Sequence, residues 1–291
     1  LPGVTRNRRG WPETDDTLTV VRITTDSGGA LATLVNFACH PTASGPANTA
    51  VSRDWCGYAV DAIEREFGGI AVYVNGAIGD VNPAQDAGFA DAEALGAAVA
   101  DAAMRAAADA SEIGGAVRVR MRALELPLNL ERLSARVEGA LARTGFVLSA
   151  LGKTGGLRAA ASAIHAAGRA DLAQLIAALQ MMSERRLVHR DGRTYLPTLC
   201  GHAGIGDELE ALAAPGEVLT RLALPLRASM GSRHRLFLGL THDTLGYFIP
   251  EDEWMTDRNH NYEESVSPGR RAGAALADAL LQLMPHHGGR A

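Results

Sequence analysis

Lysine is almost missing from the chain. Of its 28 basic residues only Lys153 is a lysine; the rest are arginine. That is a compositional bias and carries no mechanism. Aromatics make up only 5%. There are three cysteines, Cys39, Cys56 and Cys200, odd in number and far apart. Their count and spacing argue against a disulfide framework and against a CxxC metal site. No uninterrupted apolar run approaches the ~20 residues of a membrane helix. The net charge is −5 and there is no basic stripe. Non-specific nucleic-acid binding relies on phosphate neutralisation, so nucleic acid is not an expected partner. The first residue is Leu1, with no targeting segment, so the start says little about compartment. Unpaired cysteines favour the cytoplasm, with secretion or the periplasm left open.

What is present is an ordinary globular composition, 47% apolar and 21% charged. At roughly 150 residues per domain the length suggests about two domains, although one large α/β domain also fits. β-Branched runs predict strands at 18–25 and 30–38, joined by the turn Asp26–Gly29. Helical spacing follows over 53–67, then a continuous apolar strand at 70–74, read as buried on both faces. An alanine-rich helix is predicted over 89–110, and 117–128 alternates as a strand. Residues 130–186 read as two long Ala/Leu-rich helices, either a helical insertion or lid, or further core-packing helix. A strand at 208–214, a helix at 218–230 despite Pro225, a strand at 235–240 and a final helix at 267–284 complete the pattern. The tail 286–291 reads as disordered. Alternating helices and strands imply an α/β fold, a mixed β-sheet core flanked by helices.

Three loops share one form, in which an apolar strand runs into Gly, Pro and ligand-type residues. They are NFACHPT (36–42), VNGAIGDVNP (74–83) and GLTHDTLGYFIP (239–250). With Pro215-Gly216-Glu217 they suggest a site at the carboxyl ends of strands.

The order NRR (7–9), NFACHPT, SRDWCGYAV (52–60), NGAIGDVNP, PGE (215–217), GLTHDTLGY (239–247) and NYEESVSPG (261–269) resembles the catalytic domain of neutral/alkaline ceramidases, in particular the shorter bacterial members. These are zinc-dependent amidases. The resemblance implies that His40, Glu217 and Tyr247 bind zinc, a donor set that suits the ion. It implies that Arg8 lies near the substrate and that Tyr262 is a second active-site tyrosine. Two departures stand out. The family's other zinc histidine belongs to a His-Thr-His-x-Gly-Pro segment that the chain does not contain. The nearest string is Gly201-His202-Ala203-Gly204, in the wrong place. The serine of the family's Gly-Asp-x-Ser-Pro sequence is replaced by Asn82. Asparagine is no nucleophile, yet it donates a hydrogen bond to an oxyanion.

These motifs lead to an expected zinc-dependent hydrolase that cleaves an N-acyl bond by direct attack of activated water, on a small-molecule substrate other than ceramide. Asn82 and Tyr262 would orient the substrate or steady the oxyanion. Asp80, or a histidine upstream of residue 1, would be the general base. The chain, 1–291, would be a single catalytic domain that lacks its N-terminal segment, and that segment would be a partner bringing the missing histidine. A homo-oligomer stays open. The alternatives are an ester or lactone hydrolase or cyclase on the same site, and a non-catalytic ligand-binding relative. Plainer roles also exist for single residues. Glu217 suits a helix N-terminus, Tyr247 a core, Asp80 and Asn82 a tight turn, and Asp54 a first helical turn. His242 is either a substitute ligand or a substrate contact.

Overall fold

The β-branched runs form a three-stranded sheet in the computed structural model, which describes residues 1–128, 187–255 and 262–285. After the short β1 (Thr5–Asn7), β2 (Thr19–Thr24) and β3 (Ala30–Phe37) make the expected antiparallel hairpin. The helix α1 (Asp54–Phe67) then crosses over and returns the chain to β4 (Ile70–Asn75), parallel to β3. Parallel neighbours cannot be joined by a tight turn, hence the helix. α1 buries Trp55, Ala59 and Ile63, spaced four apart on one stripe. They pack with Val35 and Phe37 of β3, and with Leu95 and Val99 of α2 (Phe89–Ala108).

A second sheet is built from β6 (Val117–Pro127), β8 (Arg193–Ile205), β9 (Leu209–Ala213) and β11 (His234–Leu238), in the order β11-β9-β8-β6, with β7 (Val188–Arg190) paired to β8. β9 and β11 are parallel, joined across α3 (Thr220–Ala228). After α4 (Tyr262–Val266), the last helix α5 (Ala272–Leu283) shares a core with α3 and this sheet. Leu126, Leu196, Leu212 and Phe237 of the strands meet Leu226, Leu276 and Leu280 of the helices there.

The two sheets face each other. Val21 and Leu34 of the first pack on Leu209, Ala211 and Leu236 of the second. The Asn36 side-chain amide donates to the carbonyls of Val74 and Phe237, both at 3.0 Å, which ties the sheets together. The described residues therefore form a mixed α/β fold in four layers, helices outside and two sheets inside. Helices flank the sheets as the sequence pattern implies, but the strands divide into two main sheets rather than one.

Two strands differ from expectation. β4 is not buried on both faces: Ile70 is 63% and Val72 42% exposed, because β4 is an edge of its sheet. On β6, Val117 and Val119 are 70% and 64% exposed although the strand alternates. The second sheet extends beyond the narrower first one, so this stretch is held by its pairing with β8 rather than by burial. The expected insertion 130–186 and tail 286–291 lie outside the described residues. No helix among the described residues is long and apolar enough to cross a membrane.

Candidate active site

His40 stands where β3 gives way to the loop ahead of α1. Its backbone is held on both sides. Its N–H donates to the Val81 carbonyl at 3.0 Å, and its carbonyl accepts the Trp55 indole N–H at 2.9 Å. The ring is held as well, with Nδ1 3.2 Å from the same Val81 oxygen. A carbonyl only accepts, so Nδ1 carries the proton and Nε2 points the other way. Nε2 lies 2.9 Å from Glu217 Oε2. This contact is not aligned as a hydrogen bond, and Oε2 is buried with no hydrogen-bond partner among the described residues.

Glu217 is placed by a two-residue ladder. β10 (Glu217–Val218) pairs in parallel with β12 (Tyr247–Phe248), with Glu217 opposite Tyr247. The PGE and GLTHDTLGY loops therefore meet through their backbones. Burial, then the neighbouring Glu217 carboxylate, pushes the Tyr247 hydroxyl pKa well above its ordinary value. The Tyr247 ring meets Tyr262, the first residue of α4, edge-on with centroids 5.9 Å apart. The Arg8 guanidinium lies over the Tyr262 ring at 4.7 Å and contacts Glu263 at 2.8 Å.

The loop after β4 completes the ring of segments. β5 (Val81–Pro83) pairs antiparallel with β1, which sets Asn82 opposite Arg6 and Val81 opposite Asn7. Asp80 is fully buried. Its Oδ1 accepts the Thr220 N–H at 2.8 Å and the Thr220 hydroxyl at 2.7 Å, and its Oδ2 accepts the Asn7 amide at 2.7 Å. It thus ties β1 to the start of α3. Loop contact is so close that a Cβ on Gly79 would lie 2.9 Å from the Glu217 carbonyl oxygen. One on Gly239 would lie 2.5 Å from the Gly76 oxygen. Only glycine lets these backbones touch.

Of the sequence-predicted residues, His40, Glu217 and Tyr247 meet at one point, with Tyr262 and Arg8 beside them. Asn82 shares the backbone ladder that carries Val81. Asp80 lies beneath, with both carboxylate oxygens engaged. His242 is exposed, in a left-handed conformation at φ 74°.

Asp54 does more than begin a helix. It has a left-handed φ of 54° and accepts bonds from the N–H groups of Ala43, Ser44 and Trp55, all at 2.8 Å, and from the Ser44 hydroxyl. Burial works to raise its pKa, but these four donors hold it below the usual carboxylate range. Asp54 and Trp55 together clamp the HPT loop, and both fall inside the SRDWCGYAV string that flagged this segment. Arg9 is the other residue missed. Its signal was an Arg-Arg pair near one end of the chain and a Glu-Glu pair, Glu263-Glu264, near the other. Burial pushes the Cys39 and Cys56 thiols up, so neither is poised as a thiolate.

The residues at this point fit a zinc ion. His40 thus directs Nε2 at a carboxylate oxygen that makes no hydrogen bond among the described residues, and imidazole nitrogen and carboxylate oxygen are both zinc-ligating atoms. The backbone carbonyl on Nδ1 is the kind of outer partner that orients a ligating histidine. Among the described residues no three His, Cys, Asp or Glu side chains converge; the residue opposite Glu217 on the ladder is Tyr247.

No family model matches the chain, and no curated protein matches it. Solved structures do share its fold. The neutral ceramidase from Pseudomonas aeruginosa superposes with a TM-score of 0.61 at 17% identity, covering 96% of this chain and 50% of that one. A ceramidase complexed with C2 superposes at 0.65 with 16% identity, covering 97% of this chain and 51% of that one. The fold is ceramidase-like, and the resemblance carried by the ordered motifs is matched by likeness of fold. The chain spans about half the length of the structures it matches.

Proposed function

We propose that the chain is a zinc-dependent, ceramidase-like hydrolase that cleaves the amide bond of a small N-acyl substrate other than ceramide. The observation that carries this is the His40–Glu217 contact. His40 Nε2 and Glu217 Oε2 stand 2.9 Å apart, the oxygen buried and without a hydrogen bond among the described residues, beside the Tyr247 phenol. In this reading His40, Glu217 and Tyr247 hold the ion, with a further histidine ligand from outside the 291 residues. When bound there, zinc would polarise the scissile carbonyl and lower the pKa of water towards 7.

The chain's own residues supply the rest. Arg8 and Tyr262, stacked and half exposed beside Tyr247, orient the substrate. The Asn82 amide donates to the oxygen on which charge develops. It cannot attack the carbonyl, so water attacks directly and no acyl-enzyme forms. Asp80 acts as a brace rather than a general base, since its oxygens already accept three hydrogen bonds.

Metal analysis with a panel of N-acyl and O-acyl compounds tests this reading. One equivalent of zinc, lost in His40→Ala, with release of a free amine and a carboxylate, is the expected result. Substoichiometric zinc that is unchanged in His40→Ala overturns it. Turnover of O-acyl compounds alone moves the reaction to ester or lactone cleavage.

A further inference from the structure

Arg9 is buried among three carboxylates. Its side chain is 2% exposed, and those of Glu253, Glu263 and Glu264 are 1%, 4% and 1% exposed. Its Nη2 donates to Glu264 Oε1 at 2.8 Å and to the Glu253 carbonyl at 2.7 Å, and its Nη1 to Glu263 Oε2 at 3.3 Å. At the rim, Arg8 contacts Glu263 at 2.8 Å and Arg221 contacts Glu253 at 3.1 Å. Three cations thus face three carboxylates and the formal charges cancel.

Such a cluster is a poor source of stability, because apolar side chains of equal volume do as well or better. Its value lies in geometry. A planar guanidinium fixes the direction of each bond it makes, where an ammonium fixes none. Arg9 joins three separate stretches of chain: the turn after β1, the 3₁₀ turn Glu251–Glu253, and α4. α4 has five residues, too few to sustain a helix alone. Glu264 Oε1 accepts the Met255 N–H as well, at 2.9 Å, which closes the chain around the cluster. The helix held in this way opens with Tyr262. The residue before Arg9 is Arg8, which stacks on Tyr262 and shares Glu263 with Arg9.

We propose that Arg9 is the positioning residue of the substrate side: its guanidinium locks α4 so that Tyr262 and Arg8 face the His40–Glu217–Tyr247 point as one unit. Its link to catalysis rests on the proposed hydrolase reading; its structural part does not.

The test uses the full chain with Arg9→Lys, Arg9→Ala and Glu264→Gln. Amide exchange followed by mass spectrometry should quicken about tenfold or more at 262–266 in each variant, while that of α1 stays as in the native protein. Zinc content should be unchanged. On the substrate found by the panel, kcat of Arg9→Lys should fall roughly 10–100-fold with a smaller change in KM. Ethylguanidinium should restore part of the loss in Arg9→Ala but not in Glu264→Gln. Unchanged exchange at 262–266, or a rise spread evenly over the chain, overturns the proposal. If Arg9→Ala does not fold, the other two variants decide it. If no compound is turned over by the native protein, the hydrolase reading fails while the exchange data still judge Arg9.

Discussion

His40–Glu217 and His202–Glu210 are the same two side chains at nearly the same separation, 2.9 and 3.2 Å. Their surroundings differ. His202 and Glu210 sit on the neighbouring strands β8 and β9, with side chains 6% and 4% exposed. The contact is a hydrogen bond, and the other Glu210 oxygen accepts the Ser232 N–H at 2.9 Å. This pair is enclosed in the sheet, and both carboxylate oxygens of Glu210 are hydrogen-bonded. His40 and Glu217 come from segments far apart in sequence, with side chains 18% and 19% exposed, and Glu217 Oε2 makes no hydrogen bond among the described residues. Residue type does not separate a core pair from a candidate site; the difference here is partial exposure where loops converge.

That contrast can be broken by substitution. The largest effect is expected at the loop pair. Glu217→Ala should abolish zinc retention and lower turnover by more than about 10³-fold, the loss of several kcal/mol of transition-state stabilisation. Native-like zinc content and turnover in that variant would remove the distinction between the pairs.

His202→Ala should do the reverse. Zinc and turnover should be native-like, while denaturant titration shows a loss of roughly 2–3 kcal/mol, because a buried carboxylate has lost a partner. A change in metal content would mean that the core pair belongs to the site.

The smallest effect sharpens the loop side. Asp54→Asn should cost roughly 1–2 kcal/mol, since an amide cannot replace a carboxylate toward four donors. The native Asp54 pKa lies below its unfolded value of about 3.9, so its contribution is present above that pH and is lost as the pH falls through the folded pKa. The variant should therefore flatten acid unfolding measured by circular dichroism at about pH 2–5. An unchanged acid limb would show that the clamp on the HPT loop adds nothing.

Much of the fold was legible because periodicity reports burial directly. The hairpin, α1, α2, α3 and β6 fall within a few residues of where their patterns put them. What misled was context. A continuous apolar run such as Ile70–Val74 suggests burial on both faces, yet sheet width decides whether the outer strand is covered. The same limit hid the division of the strands into two main sheets. At the site, His40, Glu217 and Tyr247 could be picked out because each follows a strand within an ordered set of motifs. Arg9 could not. Its partners lie more than two hundred positions away, and nothing local marks a buried guanidinium.

Sequence alone determined most of the strands and helices, the glycine-bearing loops and the chemical types of the candidate ligands, since these depend on short-range spacing and on side-chain identity. Tertiary structure decided which histidine meets which carboxylate with its bonding unfilled. It decided that Asp80 is already bonded on both oxygens, and that Arg9 joins both ends of the chain. Those outcomes depend on hydrogen-bond saturation and charge balance between distant segments, which exist only once the backbone has closed around them.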